Sequence, residues 1–271
     1  MRAKDVLRRD GRCAIMGVIN LSSESFYEGS YCPPSRISDT IERMMEQGAD
    51  IVDVGARSTA PNAPHISVRE ELERVEEAMS ALDGDEEVLI SVDTQYAKVA
   101  EKALSLGAHI VNDVSGLTCD SALARVVNDY ECPIVLMASC VRRGDGLGLA
   151  HSLECARRTL ERAERLGVDS ESIILDPAIG RWTPQRCALH DLELLDGLEH
   201  FKQMGFPLLI GVSRKSFIGE VLGVPPQERL YGSLGATAIA AYKGADIIRT
   251  HDVMETLHTV RVVEAIRRKA P

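Results

Sequence analysis

Almost every apolar run in this chain ends in residues that can hold a ligand. Asn20, Asp53, Asp93, Asn112 with Asp113, Asp176, Ser213-Arg214-Lys215 and Arg249-x-His251-Asp252 each follow such a run. A lone Asp there could merely cap the next helix, and a lone His could be a satisfied structural residue. Repetition at nearly every run points instead to one shared pocket. Two Asp, one Asn and one Lys suit a flat heterocycle rich in donors and acceptors: the carboxylates accept from an amino-substituted ring, while Lys and Asn meet its acceptors. Arg249 and His251 suit an anion such as a phosphate, and Asn20 suits an anion oxygen or a divalent cation. No Ser-His-Asp order and no Cys-His arrangement suggests covalent catalysis.

The runs themselves are 14–20, 51–55, 88–94, 110–116, 133–139, 172–179, 207–213 and 246–252. They are apolar without alternation, as strands buried on both faces are. Amphipathic stretches lie between them, several ending in a C-cap glycine: Gly48, Gly107, Gly167, Gly205 and Gly244. Eight strands alternating with eight helices predict parallel strands joined by right-handed crossovers. The expected fold is α/β, a single (β/α)8 TIM barrel over residues 1–271, whose chemistry sits at the C-terminal ends of the strands. An open doubly wound sheet is the alternative, but no G-x-G-x-x-G follows a strand.

With 271 residues, 45% of them hydrophobic, the chain can bury a sizeable core, and aromatics at 4% leave that core aliphatic. A net charge of −10 argues against a nucleic-acid partner. No apolar run reaches the 18 residues of a membrane span. The start, "MRAKDVLRRDGRC", lacks a signal peptide's apolar segment. The seven cysteines, at 13, 32, 119, 132, 140, 155 and 187, contain no C-x-x-C. They are read as reduced thiols of a cytoplasmic protein; a zinc site would need Cys and His closer together.

The segments "MGVINLSSESF", "GADIVDVGARST", "ISVDT", "GAHIVNDVSGL", "IILDPAIG", "GVSRKSFIGEVLG", "ERLYGSLGATAIAA" and "GADIIRTHDV" resemble, in order, the motifs of the dihydropteroate synthases, pterin-binding barrels. The likeness runs from about residue 14 to 266. It implies a transferase that joins a dihydropterin methyl diphosphate to para-aminobenzoate or a related arylamine, with release of diphosphate. It implies that Asp93, Asn112, Met137, Asp176 and Lys215 hold the pterin. Asn20, Arg249 and His251 would hold the diphosphate with Mg2+, Asn20 being the metal's protein ligand, and Ser216 would face the amine. A homodimer is expected on the same ground.

The departures cluster in the loops. "NLSSESF" carries Ser23 where the family has proline and Glu24 where it has aspartate; Glu24 could stabilise a cationic pterin methylene. "GARSTAPN" carries Arg57 for glutamate and Ala60 for arginine. Arg181, Trp182, Thr183 and Ala138 replace other usual residues. Residues 53–64, with Arg57, Ser58 and Thr59, are read as a mobile lid over the amine, and Arg181 as a second contact. Arg57 either turns inward to the amine or lies solvated on the surface; the sequence leaves both open.

Three other functions compete. The acceptor could be larger or phosphorylated, like the ribofuranosyl-aminobenzene of methanopterin synthesis. Methyltransferases that pass a methyl group from a reduced folate to a corrinoid use the same barrel, but need no diphosphate site. A pterin-binding protein without turnover is the third.

Overall fold

A computed structural model of the chain describes residues 1–7, 11–22, 31–57, 66–82 and 88–269. Eight parallel strands form one sheet: β1 (Ala14–Asn20), β2 (Ile51–Gly55), β3 (Leu89–Asp93), β4 (Ile110–Asp113), β5 (Ile134–Met137), β6 (Ile173–Asp176), β7 (Leu209–Gly211) and β8 (Ile247–Thr250). Their order is β6-β5-β4-β3-β2-β1-β8-β7. A parallel bridge between Leu175 and Leu208 joins the two outer strands and closes the ring. The expected barrel is therefore present. Several strands stop short of their apolar runs. At β4 the cause is local: the main-chain N–H groups of Ser115 and Leu117 donate to the Asp113 carboxylate (2.7 and 2.6 Å) and turn the chain out of the sheet.

Eleven α-helices lie among the described residues, where the sequence predicts eight. Seven of the expected ones are α2 (Ile37–Glu46), α3 (Val68–Ser80), α4 (Ala97–Ser105), α5 (Leu123–Asp129), α6 (Gly148–Arg165), α10 (Leu230–Tyr242) and α11 (Val253–Lys269). The eighth is divided at Gly197 into α7 (Ala188–Asp196) and α8 (Leu198–Lys202). Two are additional: α1 (Ala3–Val6) and α9 (Ser216–Leu222). The five glycines expected to end helices all take positive φ, the left-handed conformation in which a Cβ is strained.

Strand register explains where function can sit. Alternate residues of a strand share one face. Ala14, Met16, Ile51, Ile110, Val135, Ile174, Leu209 and Ile247 pack together as an apolar floor, with Ala3 and Val6 of α1 against it. Two residues further along the same faces come Val18, Asp53, Asn112, Met137, Asp176, Gly211 and Arg249. The barrel thus changes from aliphatic to polar within one strand repeat, at its C-terminal end. A larger aliphatic cluster fills the layer between strands and helices.

Candidate active site at the barrel mouth

Asp53 is fully buried at the centre of the polar layer. It accepts from Ser91 Oγ (2.6 Å), Asn112 Nδ2 (2.9 Å) and Arg249 Nε (2.6 Å). Arg249 Nη2 also reaches Asp93 Oδ2 at 3.1 Å. β2, β3, β4 and β8 are thereby tied across the mouth. Burial and the adjacent Asp53 carboxylate push Asp93 up to about 7, against the pull of Arg249. Burial disfavours the Arg249 cation, yet Asp53 and Asp93 outweigh it and hold the guanidinium above its usual range. Asp53 and Ser91 are what sequence reasoning missed. Asp53 stood among the strand-end residues without a role, and an inward Ser two positions before Asp93 was the available signal.

On the opposite wall, Asp176 Oδ1 accepts from Ala178 N–H (2.8 Å), and burial raises its carboxyl against the attraction of Lys215. Burial lowers the Lys215 ammonium to about 8, opposed by Asp176 and Asp191. Lys215 Nζ donates to the Ile179 carbonyl and stands 5.6 Å from the centre of the Trp182 ring. Gly180 leaves room for that side chain: a Cβ there would lie 3.2 Å from Lys215 Cδ, and its φ of +128° suits only glycine. Met137, 1% exposed, ends β5 on this side.

At the third corner the main-chain N–H of His251 donates to Ser213 Oγ (3.2 Å), which also lies 2.9 Å from His251 Nδ1. A Ser213 hydroxyl that donates to Nδ1 places the ring proton on Nε2. Burial, then Arg249, Arg214 and Lys215, lower His251 to about 3. It is a neutral N–H donor at pH 7. Asn20 ends β1 nearby, its carbonyl accepting from Cys32 N–H (2.9 Å).

Three strand-end residues read as pocket groups serve the scaffold instead. Asp113 turns the chain after β4, as above. Arg214 and Asp252 form a bidentate pair (2.9 and 2.7 Å), and Arg214 Nη1 also donates to the Pro226 and Gln227 carbonyls. The solvated alternative for Arg57 is corrected: its side chain is 12% exposed and its Nε donates to buried Glu71 on α3 (2.7 Å). Glu71 also accepts from Thr94 Oγ1 (2.6 Å), and the Tyr96 ring lies 5.3 Å from the guanidinium. The pair joins the end of β2 to α3, and no local pattern in the sequence couples positions 57 and 71.

Arg181 is half-exposed and meets Glu220 at 3.5 Å, and Ser216 opens α9. Glu24, Ser58 and Thr59 lie outside the described residues, as does most of the segment read as a lid. The reading of seven reduced thiols is also corrected, because Cys140 and Cys155 are bonded. Cys140, His151 and Cys155 come within 4.8 Å of one another although they are scattered in sequence; the return of the chain from β5 into α6 makes the cluster. No described helix is long and apolar enough to cross a membrane.

Residues 16–251 match the family model described as pterin binding enzyme. The chain is 35% identical to a dihydropteroate synthase of Clostridium beijerinckii, over 95% of this chain and 96% of that one. It is 38% identical to the dihydropteroate synthase of Synechocystis, over 95% and 91% of the two chains. The solved dihydropteroate synthase of Coxiella burnetii in complex with pteroic acid superposes with a TM-score of 0.85 at 34% identity, covering 94% of each chain.

Proposed function

The chain belongs to the pterin binding enzyme family, and we propose, on that premise, how its barrel mouth performs the reaction. It is a dihydropteroate synthase-like transferase: it condenses a 6-hydroxymethyl-dihydropterin diphosphate with an arylamine and releases diphosphate. The polar layer around Asp53, Arg249 and Asp93 is the observation that carries the assignment of the pocket.

The pterin lies between two walls. Asp93 and Asp176 accept from its amino and ring N–H groups, and Asn112 and Lys215 complete the match, with Met137 against its face. Ligation at Asp93 replaces its bond to Arg249 Nη2, the longest of the cluster at 3.1 Å, and turns that nitrogen toward the diphosphate. Arg249 as cation and His251 as neutral Nε2–H donor then stabilise charge on the departing group. The amine attacks the methylene carbon, the carbon–oxygen bond to diphosphate breaks, and no side-chain nucleophile is needed. Glu24 is assigned to the developing positive charge on the pterin.

Asp53 and Asp93 are tied to Arg249, and Asn20, which ends β1, offers an amide oxygen of the hard kind. Asn20 would be the protein ligand of a Mg2+ bound there, a hard oxygen donor for a hard cation. Mg2+ would neutralise charge on the leaving diphosphate.

For the amine, Ser216 and Arg181 are assigned as contacts, and Arg57, Ser58 and Thr59 with them on the family resemblance alone. Arg57 acts there through Glu71, anchoring the root of the segment. Para-aminobenzoate is the first candidate. An amine bearing a phosphate is the second, favoured by Arg181, which is half-exposed and only loosely held by Glu220 at 3.5 Å. The protein works as a homodimer.

Incubation with the dihydropterin diphosphate, Mg2+ and a set of arylamines tests the reading. Diphosphate release that requires both substrates is expected. No release with any amine would overturn it.

A further inference from the structure

One cluster plays no part in that chemistry. Cys140 lies three residues beyond β5, and His151 and Cys155 stand one turn apart on the same face of α6. Cys140 and Cys155 are bonded, with Cα atoms 4.4 Å apart, within the span of a disulfide. Leu147 N–H donates to His151 Nδ1 (3.2 Å), which leaves the ring proton on Nε2, and Nε2 is 3.8 Å from the Cys140 sulfur. That N–H stabilises a Cys140 thiolate. Cys155 is fully buried beside the Asp145 carboxylate (3.8 Å), which opposes a second thiolate, while Cys140 keeps 9% exposure. The two sulfurs therefore differ: Cys140 is the one a reagent reaches, and Cys155 resolves.

The same three side chains could invite a soft metal ion, but the donor set is poor. The His151 nitrogen facing the sulfurs carries the proton, and the Asp145 carboxylate already accepts from the N–H groups of Cys140, Val141 and Arg142 (2.7, 3.0 and 3.1 Å).

We propose that Cys140 and Cys155 form a reversible dithiol–disulfide pair that sets the β5–α6 segment against Trp182, and through it against Lys215. The Cys140 thiolate attacks a low-molecular-weight disulfide such as oxidised glutathione, forming a mixed disulfide and releasing one glutathione thiolate. Cys155 loses its proton and attacks the Cys140 sulfur, expelling the second. Two electrons pass from the cysteine pair to oxidised glutathione, which leaves as two thiols. The mechanical link is short. Asp145 caps Cys140, its neighbour Gly144 packs so tightly on Trp182 that a Cβ there would lie 2.3 Å from the indole, and the Trp182 ring faces Lys215. Arg186 Nη1 holds the Gly144 and Gly146 carbonyls (3.3 and 3.0 Å). Any consequence for catalysis rests on the pocket assignment above; the pair itself does not.

The full chain is equilibrated in glutathione buffers from reduced to oxidised, quenched, unfolded and alkylated. Trp182, the one tryptophan of the sequence, reports its surroundings by emission in parallel, without substrate. In reduced buffer all seven cysteines should be alkylated. In oxidised buffer the five unpaired ones should be, with the protected two mapping to Cys140 and Cys155. The Trp182 emission should shift with the same midpoint, revert with dithiothreitol, and stay constant in Cys140→Ser and in Cys155→Ser. Full alkylation in both buffers overturns the proposal, as does protection of a different pair or an emission that ignores bond formation. Added Zn2+ retained at one per chain, protecting both thiols until a chelator removes it, would make the cluster a metal site and likewise overturn it.

Discussion

Asp53 is tolerable in the interior because three donors converge on it; a buried carboxylate without them would cost several kcal/mol. Asp93, its neighbour, accepts from Arg249 Nη2 at 3.1 Å, and burial with the Asp53 carboxylate holds it above the usual carboxylate range. Its folded-state value, about 7, lies above the ordinary 3.8. Between those values the folded protein holds a proton that the unfolded chain does not. That stabilising contribution is full below about pH 4 and lost as pH rises through about 7. Lys215 has the opposite sign: lowered to about 8, it lets stability rise again with pH above that point. Asp93→Asn removes the first titration. Relative to the wild type, the ligand-free variant should gain about 2–3 kcal/mol between pH 5 and pH 8, the pull of Arg249 being already contained in the folded-state value. Urea unfolding at the two pH values measures this; a difference independent of pH would place the titration elsewhere.

At the scale of elements, the walls of the pocket depend on ties between loops. Arg186 is fully buried, pairs with Asp191 (2.8 Å) after β6, and holds two carbonyls of the β5–α6 segment. Asp191 also accepts from Gly180 N–H (2.8 Å), the glycine that accommodates Lys215. One guanidinium thus braces both segments flanking Trp182. Removing one member of a buried pair strands the other charge, at a cost of about 3–5 kcal/mol. Arg186→Ala should lose about that much stability in urea unfolding and move Trp182 emission even in the folded state. A loss under about 1 kcal/mol would show that solvent or a neighbour replaces the guanidinium.

For the whole molecule, apolar exposure is uneven. Leu189 and Leu192 on α7, Val221 and Leu222 on α9, and Tyr231, Ile239 and Tyr242 on α10 are all exposed, Tyr231 at 84%. These three helices pack on one another. A large apolar surface on neighbouring elements suits a protein–protein contact, and a symmetric pair would use the same patch twice. The chain should sediment at twice its 29.6 kDa, and Leu222→Lys with Tyr231→Lys should bring it to the single-chain mass while it remains folded. A wild type that sediments as one chain at micromolar concentration would remove the dimer from the functional reading.

The sequence by itself determined the barrel, because buried parallel strands write themselves as uninterrupted apolar runs and helix ends as glycines such as Gly107 and Gly167. It also placed Asp93, Asn112, Asp176, Lys215, Arg249 and His251 at strand ends, since each lies at a fixed offset from its own run. It did not reveal which partners those residues have. Ser91 and Arg249 stand 38 and 196 positions from Asp53 along the chain, and only the lateral order β3-β2-β1-β8 brings all three within hydrogen-bonding distance. The same holds for Arg57 with Glu71, for Arg214 turned to Asp252 instead of the pocket, and for Cys140 bonded to Cys155. Periodicity is a property of one segment and its solvent; a side chain's partner is set by which segments the tertiary fold lays side by side.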